Sequence, residues 1–281
     1  MNVDRTIAGA LHWGAATLDA ASQSPRRDAE VLLQHCTGLG AGQILARAQH
    51  PLEVAPWHGY QAALARRRGG EPIAYITGRR EFWSLPLRVS RAVLIPRADT
   101  ETLVERALER LPVKPPGTVA DLGTGCGAVA LAIASERPDW RVVATDIDPD
   151  ALTVAAANAA ELGLANVEFV QGSWFEALAG CRFDLVVCNP QYVAEADPHL
   201  ARGDPRFEPR HALCAGADGL AAIRAIVARA PAALVPGGAL LLEHGFDQAD
   251  TVARLMAGAS LNHIRTCRDL AGHCRVTEGE A

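Results

Sequence analysis

The chain has 281 residues, 49% of them hydrophobic and 21% charged, with a formal net charge of −5 at pH 7. This composition excludes a disordered chain, and the length allows one large domain or two modest ones. An acidic balance lacks the basic footprint of a protein that works directly on nucleic acid, and no apolar run reaches the roughly 18 residues needed to span a bilayer.

The N-terminus, MNVDRTIAGALHWGAATLDA, carries Asp4 and no extended apolar core, so it does not read as a secretion signal. The seven cysteines are odd in number and include no CxxC pair. They predict reduced thiols and a cytoplasmic location. His263, Cys267, His273 and Cys274 cluster without zinc-ligand spacing, and no metal is expected.

Residues 1–70 read as helices. Ser24-Pro25 opens one, with Ser as N-cap, Pro in the first turn, and Asp28 and Glu30 near the positive helix end. Apolar residues follow at Ala29, Leu32, Leu33 and Cys36 until Gly38. A further helix is predicted over Pro56–Arg68, stopped by Gly69-Gly70. From Pro72 to Pro96 the aromatic and β-branched content predicts a short hairpin and linker. Helical periodicity resumes over Asp99–Arg110, and Lys114-Pro-Pro-Gly117 marks a boundary.

Beyond it, strands and helices alternate. Strands are predicted at 118–123, 141–147, 167–172, 183–189 and 239–243, with two short ones at 263–267 and 273–277. Helices fill the gaps, notably 149–162, 218–230 and 247–257. Near-continuous apolar strands separated by helices predict an α/β fold with a parallel, doubly wound sheet covered on both faces.

Asp121-Leu-Gly-Thr-Gly-Cys-Gly127 falls at a strand-to-helix turn. Gly123, Gly125 and Gly127 let the backbone turn tightly and approach a ligand, and the following helix points its N–H groups there. Asp146, ending the next strand, can accept both hydroxyls of a ribose. The string Gly123-x-Gly125-x-x-Ala128 also fits a dinucleotide fingerprint. Asp121 would repel a pyrophosphate but suits a cationic amino-acid or sulfonium group, and Gly127 leaves room for a methionyl tail. Both favour S-adenosylmethionine over NAD.

The strand 183–189 runs into Asn189-Pro190-Gln191-Tyr192. Ligands of doubly wound sheets bind beyond the strand ends where strand order reverses. If the first and fourth strands flank that reversal, the glycine loop and the Asn-Pro loop share a crevice. The Asn189 Oδ1 and the Pro190 carbonyl can each accept a hydrogen from a planar –NH2, and the Tyr192 ring can stack on it.

Over essentially its whole length the sequence resembles the HemK/PrmC family of glutamine N5-methyltransferases that modify peptide chain release factors. The resemblance is carried by SPRRDAEVLL (24–33), GEPIAYITGRREFWSLPLRVS (70–90), LIPRADTE (94–101), DLGTGCGAVALAIASERPD (121–139), GSWFEAL (172–178), NPQY (189–192), the segment from DPHL to GDPRFEP (197–209), LLLEHG (240–245) and the C-terminal TCRD to RVTEG (266–279). It implies a class I methyltransferase of Rossmann-like fold over 97–281, a helical substrate-recognition domain over 1–70 and a hairpin linker over 71–96. It also implies that Gly123, Thr124, Gly125, Cys126 and Gly127 cradle S-adenosyl-L-methionine (product S-adenosyl-L-homocysteine), with Asp146 on the ribose and Trp174 against the adenine region. Asn189, Pro190, Gln191 and Tyr192 would hold the substrate glutamine, with Asn189, Pro190 and Tyr192 catalytic and Asn189 also near the cofactor.

Two positions depart from the family pattern. Gln191 stands where the family has the second Pro of Asn-Pro-Pro-Tyr, and Ala98 stands where it has Pro. Gln191 regains an N–H and a freer φ, and its side chain could mimic the substrate amide.

The expected activity is methyl transfer to the glutamine of a Gly-Gly-Gln motif in class I release factors. The expected partners are those factors, with no nucleic acid or membrane and a monomeric enzyme. A ribosomal-protein glutamine methyltransferase, an adenine-N6 DNA methyltransferase with a similar Asn-Pro loop, and a non-catalytic nucleotide-binding module remain the alternatives.

Overall fold

The computed structural model describes residues 4–112 and 116–281. The predicted boundary begins at Lys114 and Pro115, outside the described residues. Two compact units form, one of Met1–Arg79 with Ala201–Phe207, the other of Arg80–Leu200 with Glu208–Ala281.

The first unit contains α1 (Ile7–Leu18), α2 (Pro25–Thr37), α3 (Ala41–Ala46), α4 (Val54–Arg68) and α5 (Ile73–Thr77). Leu18, Leu32, Leu33, Tyr60 and Leu64 form its fully buried centre. Ser24 precedes α2 as expected, but its hydroxyl caps no backbone N–H and instead meets Asp28 at 3.3 Å. Asp28 is also held by Ser22 and by Arg67 of α4 at 2.7 Å each, a largely buried pair that ties α2 to α4. Residues 73–77, expected within the hairpin and linker, form α5 instead. Pro72 precedes its first turn, and Gly78 ends it at a φ of 71°.

The hairpin of β1 (Arg79–Phe82) and β2 (Leu85–Arg88) follows, its turn placing Trp83 and Ser84 at positive φ. After α6 (Glu101–Arg110) come β3 (Thr118–Leu122), α7 (Ala128–Glu136), β4 (Arg141–Asp146), α8 (Pro149–Leu162), β5 (Val167–Gln171) and β6 (Phe183–Cys188). The chain ends through α9 (Ala221–Ala233), β7 (Leu234–Glu243), α10 (Ala249–Gly258), β8 (Asn262–Arg268) and β9 (Cys274–Glu280). The seven-stranded sheet has the order β5-β4-β3-β6-β7-β9-β8. It is parallel except for β9, which runs antiparallel to both β7 and β8.

Several predicted boundaries move. The helix expected over 218–230 starts at Ala221 and runs on through Pro231 to Ala233. The strand expected from Ala239 starts at Leu234, because a register shift against β6 absorbs Gly237 and Gly238 and keeps the earlier residues paired. The reversal of strand order falls between β3 and β6, as expected, so the chain leaves those two strands toward the same end of the sheet.

Candidate active site

The loops that follow β3, β4 and β6 line one cleft of about 390 Å³. Its walls include Gly123, Gly125, Asp146, Trp174, Asn189 and Gln191. Thus the glycine loop, the strand-end acid, the expected adenine-side tryptophan and the Asn-Pro loop meet at the predicted switch point.

Backbone geometry shapes the glycine loop. The N–H groups of Gly123 and Thr124 both donate to the Thr145 carbonyl at 2.8 Å, pinning the loop to the end of β4. Gly123 has a φ of 71°, and a Cβ there would lie 3.0 Å from the Trp174 ring. Gly125 has a φ of 56°, and a Cβ on it would enter open space that belongs to the cleft. Its N–H donates to Asp146 Oδ2 at 2.9 Å, while the Asp148 N–H donates to Asp146 Oδ1 at 3.0 Å. A carboxylate has about four lone-pair sites, so Asp146 is held rigidly with acceptor capacity left for two hydroxyls. Trp174 occupies a φ of 46°, sparsely populated for an aromatic residue and a sign of local constraint at the cleft wall.

Thr124, Cys126 and Gly127 are not among the cleft-lining residues. Thr124 and Cys126 turn inward, and burial pushes the Cys126 thiol up to about 12. The Thr124 hydroxyl donates to Asp121 Oδ2 at 2.7 Å, and the Ala130 N–H donates to the same oxygen at 3.2 Å. Asp121 is therefore a buried brace between loop and helix rather than a wall of the cleft. Burial pushes its carboxyl up to about 6 against the pull of those two donors. The charge expected to face a sulfonium is instead turned into the fold.

The Asn-Pro loop is held by distant side chains. Asn189 Nδ2 donates to the Thr100 hydroxyl at 3.1 Å, and Asn189 Oδ1 accepts no hydrogen bond from a described residue. Pro190 is buried, and Gln191 lines the cleft. Tyr192 lies outside the cleft lining, packs against the core and donates its hydroxyl to Glu243 Oε1 at 3.3 Å. Burial, with Glu243 beside it, raises the phenol above its ordinary range. Gln248 Nε2 donates to the Tyr192 carbonyl at 3.0 Å. Glu243 is 1% exposed, and its Oε2 has no hydrogen-bond partner among the described residues. Burial pushes its carboxyl up to about 7, against the pull of Thr100, Arg275 and Tyr192.

Sequence reasoning assigned no role to several residues here. The stretch Ala92–Leu94 forms one wall, and His211, Ala212 and Cys214 form another. His211 Nε2 lies 3.5 Å from Asp148 Oδ2. Glu208, whose side chain is fully buried, accepts from the Ile95 N–H at 3.0 Å and from Arg97 at 2.5 Å, tying those two walls together. A carboxylate closing an apolar strand at Glu243 is a signal that a sequence reader could use. Among the described residues no group of three or more His, Cys, Asp or Glu side chains could hold a metal, and no helix is long and apolar enough to cross a membrane.

Residues 9–78 match the family described as the PrmC N-terminal domain, and residues 99–202 match the methyltransferase small domain. The release factor glutamine methyltransferase of Escherichia coli strain K12 is 51% identical over 270 residues, which cover 95% of this chain and 97% of that protein. The chain belongs to the release factor glutamine methyltransferase family. The Salmonella typhimurium protein of the same name is 52% identical over 92% of this chain and 93% of its own. A solved methyltransferase from Pyrococcus furiosus shares the fold, with a TM-score of 0.54 at 15% identity, over 78% of this chain and 96% of that one. The α/β methyltransferase architecture expected from the sequence is therefore present, with the cleft at the position where such folds bind their ligands.

Proposed function

We propose that the chain transfers a methyl group from S-adenosyl-L-methionine to the side-chain amide nitrogen, N5, of the glutamine in the Gly-Gly-Gln motif of class I peptide chain release factors. The observation that carries this reading is the Asn189 amide, which lines the same cleft as Gly125 and Asp146 and whose Oδ1 takes no hydrogen bond from a described residue. The acceptor is the one that the related release factor glutamine methyltransferases are named for.

The donor supplies a methyl carbon on a positively charged sulfur. The chain's residues do the rest. Asp146, fixed by the Gly125 and Asp148 amides, would accept the ribose hydroxyls, and Trp174 would face the adenine. Gly125 leaves room for the rest of the ligand. Asn189 Oδ1 and the Pro190 carbonyl accept the two hydrogens of the substrate –NH2 and aim its lone pair at the methyl carbon. That lone pair is delocalised into the amide, so the nitrogen is a poor nucleophile. In-line positioning supplies a large share of the barrier reduction, about 7–11 kcal/mol at the limit. The two acceptors also stabilise the positive charge that develops on nitrogen as the N–C bond forms and the S–C bond breaks. The methylated nitrogen then loses a proton to water.

The helical unit containing α1 to α5 is assigned to recognition of the release factor. The test offers a release factor, a ribosomal protein and DNA side by side with labelled donor. Label in the release factor alone supports the reading, and label confined to either of the others contradicts it.

A further inference from the structure

Thr100 closes the short helical turn Ala98–Thr100 ahead of α6 and lies within the 94–101 stretch that the proposed chemistry leaves without a role. It is 4% exposed. Its hydroxyl accepts from Asn189 Nδ2 at 3.1 Å, and it neighbours the Glu243 carboxyl.

The arrangement bears on a choice the Asn189 amide must make. A side-chain amide fits the same space in two orientations, one presenting its oxygen and the other its NH2 to a given point. Only the first offers an acceptor to a substrate –NH2; the second sets two donors against each other. A lone hydroxyl cannot select between them, because it can donate or accept. A hydroxyl whose single proton points at a carboxyl oxygen presents only lone pairs elsewhere, and then selects Nδ2 as its neighbour. Glu243 suits that role, because it is buried, its Oε2 takes no hydrogen bond from a described residue, and its Oε1 already accepts the Tyr192 hydroxyl at 3.3 Å. Asn189 and Tyr192, on either side of Pro190-Gln191, thus have anchors that meet at one carboxyl.

We propose that Thr100, backed by Glu243, is a positioning residue that sets the Asn189 amide with Oδ1 toward the substrate nitrogen. The inference rests on the reading of Asn189 as the acceptor for the glutamine amide.

The experiment is single-turnover methylation of a class I release factor at saturating cofactor, with Thr100→Val, Thr100→Ser, Asn189→Ala and the Thr100→Val/Asn189→Ala double variant. Thr100→Val should lower the rate by roughly 10- to 100-fold, the range of a misplaced reacting group. Its affinity for S-adenosyl-L-homocysteine should stay within about threefold of the parent. Thr100→Ser should restore most of the rate, because it keeps the hydroxyl. In the Asn189→Ala background, Thr100→Val should cost little further, since a residue that acts through another adds nothing once that other is gone. A parental rate in Thr100→Val overturns the proposal, as do losses that multiply in the double variant. If the valine variant does not fold, Thr100→Ala takes its place with the same expected pattern. A parental rate in Asn189→Ala would instead remove Asn189 from the chemistry, a failure of the underlying reading that the Thr100 variants alone could not produce.

Discussion

In the glycine-loop half of the cleft, the loop is shaped by its own backbone and by the neighbouring strand end, through the Thr145 carbonyl, the Asp146 carboxylate and the positive φ of three glycines. The Asn189–Tyr192 half is aimed by side chains far away in the sequence. Thr100 lies 89 residues from Asn189, Glu243 lies 51 from Tyr192, and Gln248 lies 56 from it. The first half is a preformed cradle that tolerates little change in its own residues. The second is a pair of contact groups whose aim depends on three separate elements. Changes in the first half should therefore move ligand affinity, and changes in the second should move rate.

The largest expected effect separates the halves. Asn189→Ala removes an acceptor at the reacting nitrogen, and methyl transfer should fall by at least roughly 100-fold, as for loss of one preorganised transition-state contact. Titration with S-adenosyl-L-homocysteine should show affinity within a few-fold of the parent. A parallel loss of affinity would mean that the two halves are not energetically separate.

Asp146→Ala should do the reverse. It deletes the ribose acceptor and frees the Gly125 amide, so cofactor affinity should weaken by roughly 10- to 100-fold, the loss expected when a charged hydrogen-bonding partner is removed. The thermal midpoint of the ligand-free protein should change far less. Unchanged affinity in a folded variant would take Asp146 out of the site.

Glu243 gives a pH-dependent comparison. Its carboxyl sits at about 7 in the folded chain, above the ordinary 4.5, because burial disfavours the charge. Below the ordinary value it is protonated both folded and unfolded. As pH rises through about 7, the folded state must ionise a buried group that the unfolded chain ionises freely, and stability is lost. Tyr192, Thr100, Arg275 and Asp99 face the same carboxyl and stay in place in the comparison. Glu243→Gln should therefore stabilise the chain relative to the parent more at pH 8 than at pH 5, by on the order of a few kcal/mol. Thermal denaturation at the two values checks this, and an equal difference at both would mean that Glu243 is not strained by ionisation.

The smallest effect concerns Gln191. A proline there would restrict the loop, an entropic contribution of about 0.4–1 kcal/mol where the geometry suits it. Gln191→Pro should raise the single-turnover rate a few-fold and leave cofactor affinity unchanged, because Asn189 supplies the contact and residue 191 fixes its setting. Equal rates would show that Thr100, Glu243 and Gln248 already hold the loop. A slower variant would show that the Gln191 side chain makes a contact of its own.

The same difference between the halves explains what could be read from the chain. Gly123, Gly125 and Asp146 announce themselves because backbone conformation and a strand-end carboxylate are local properties. The alternation of strands and helices gave a doubly wound sheet, while the adjacency of β3 and β6 entered only as a condition that the structure meets. Asn189 and Gln191 were legible as a short string at a strand end. Thr100 was not, because a hydrogen bond to a residue 89 positions away leaves no periodic trace in its segment, and Glu243 offered only the bare signal of a carboxylate closing an apolar strand, without its partners. Asp121 was misplaced for a related reason. Spacing put a carboxylate beside the glycines but did not reveal that Thr124 and Ala130 would turn it into the fold. The helix α5 was missed because Tyr75 and Ile76 read as strand formers, whereas burial of Ala74, Tyr75 and Ile76 on one short turn decides the conformation.

The most direct test of the account localises the methyl group. A class I release factor is incubated with the chain and S-adenosyl-L-methionine, digested, and the Gly-Gly-Gln peptide sequenced by mass spectrometry, beside a release factor in which that glutamine is alanine. The account predicts one added methyl group on the glutamine side chain, absent from the alanine substrate and nearly absent when the Asn189→Ala chain is used. A methyl group on any other residue, or equal labelling of the alanine substrate, would contradict it.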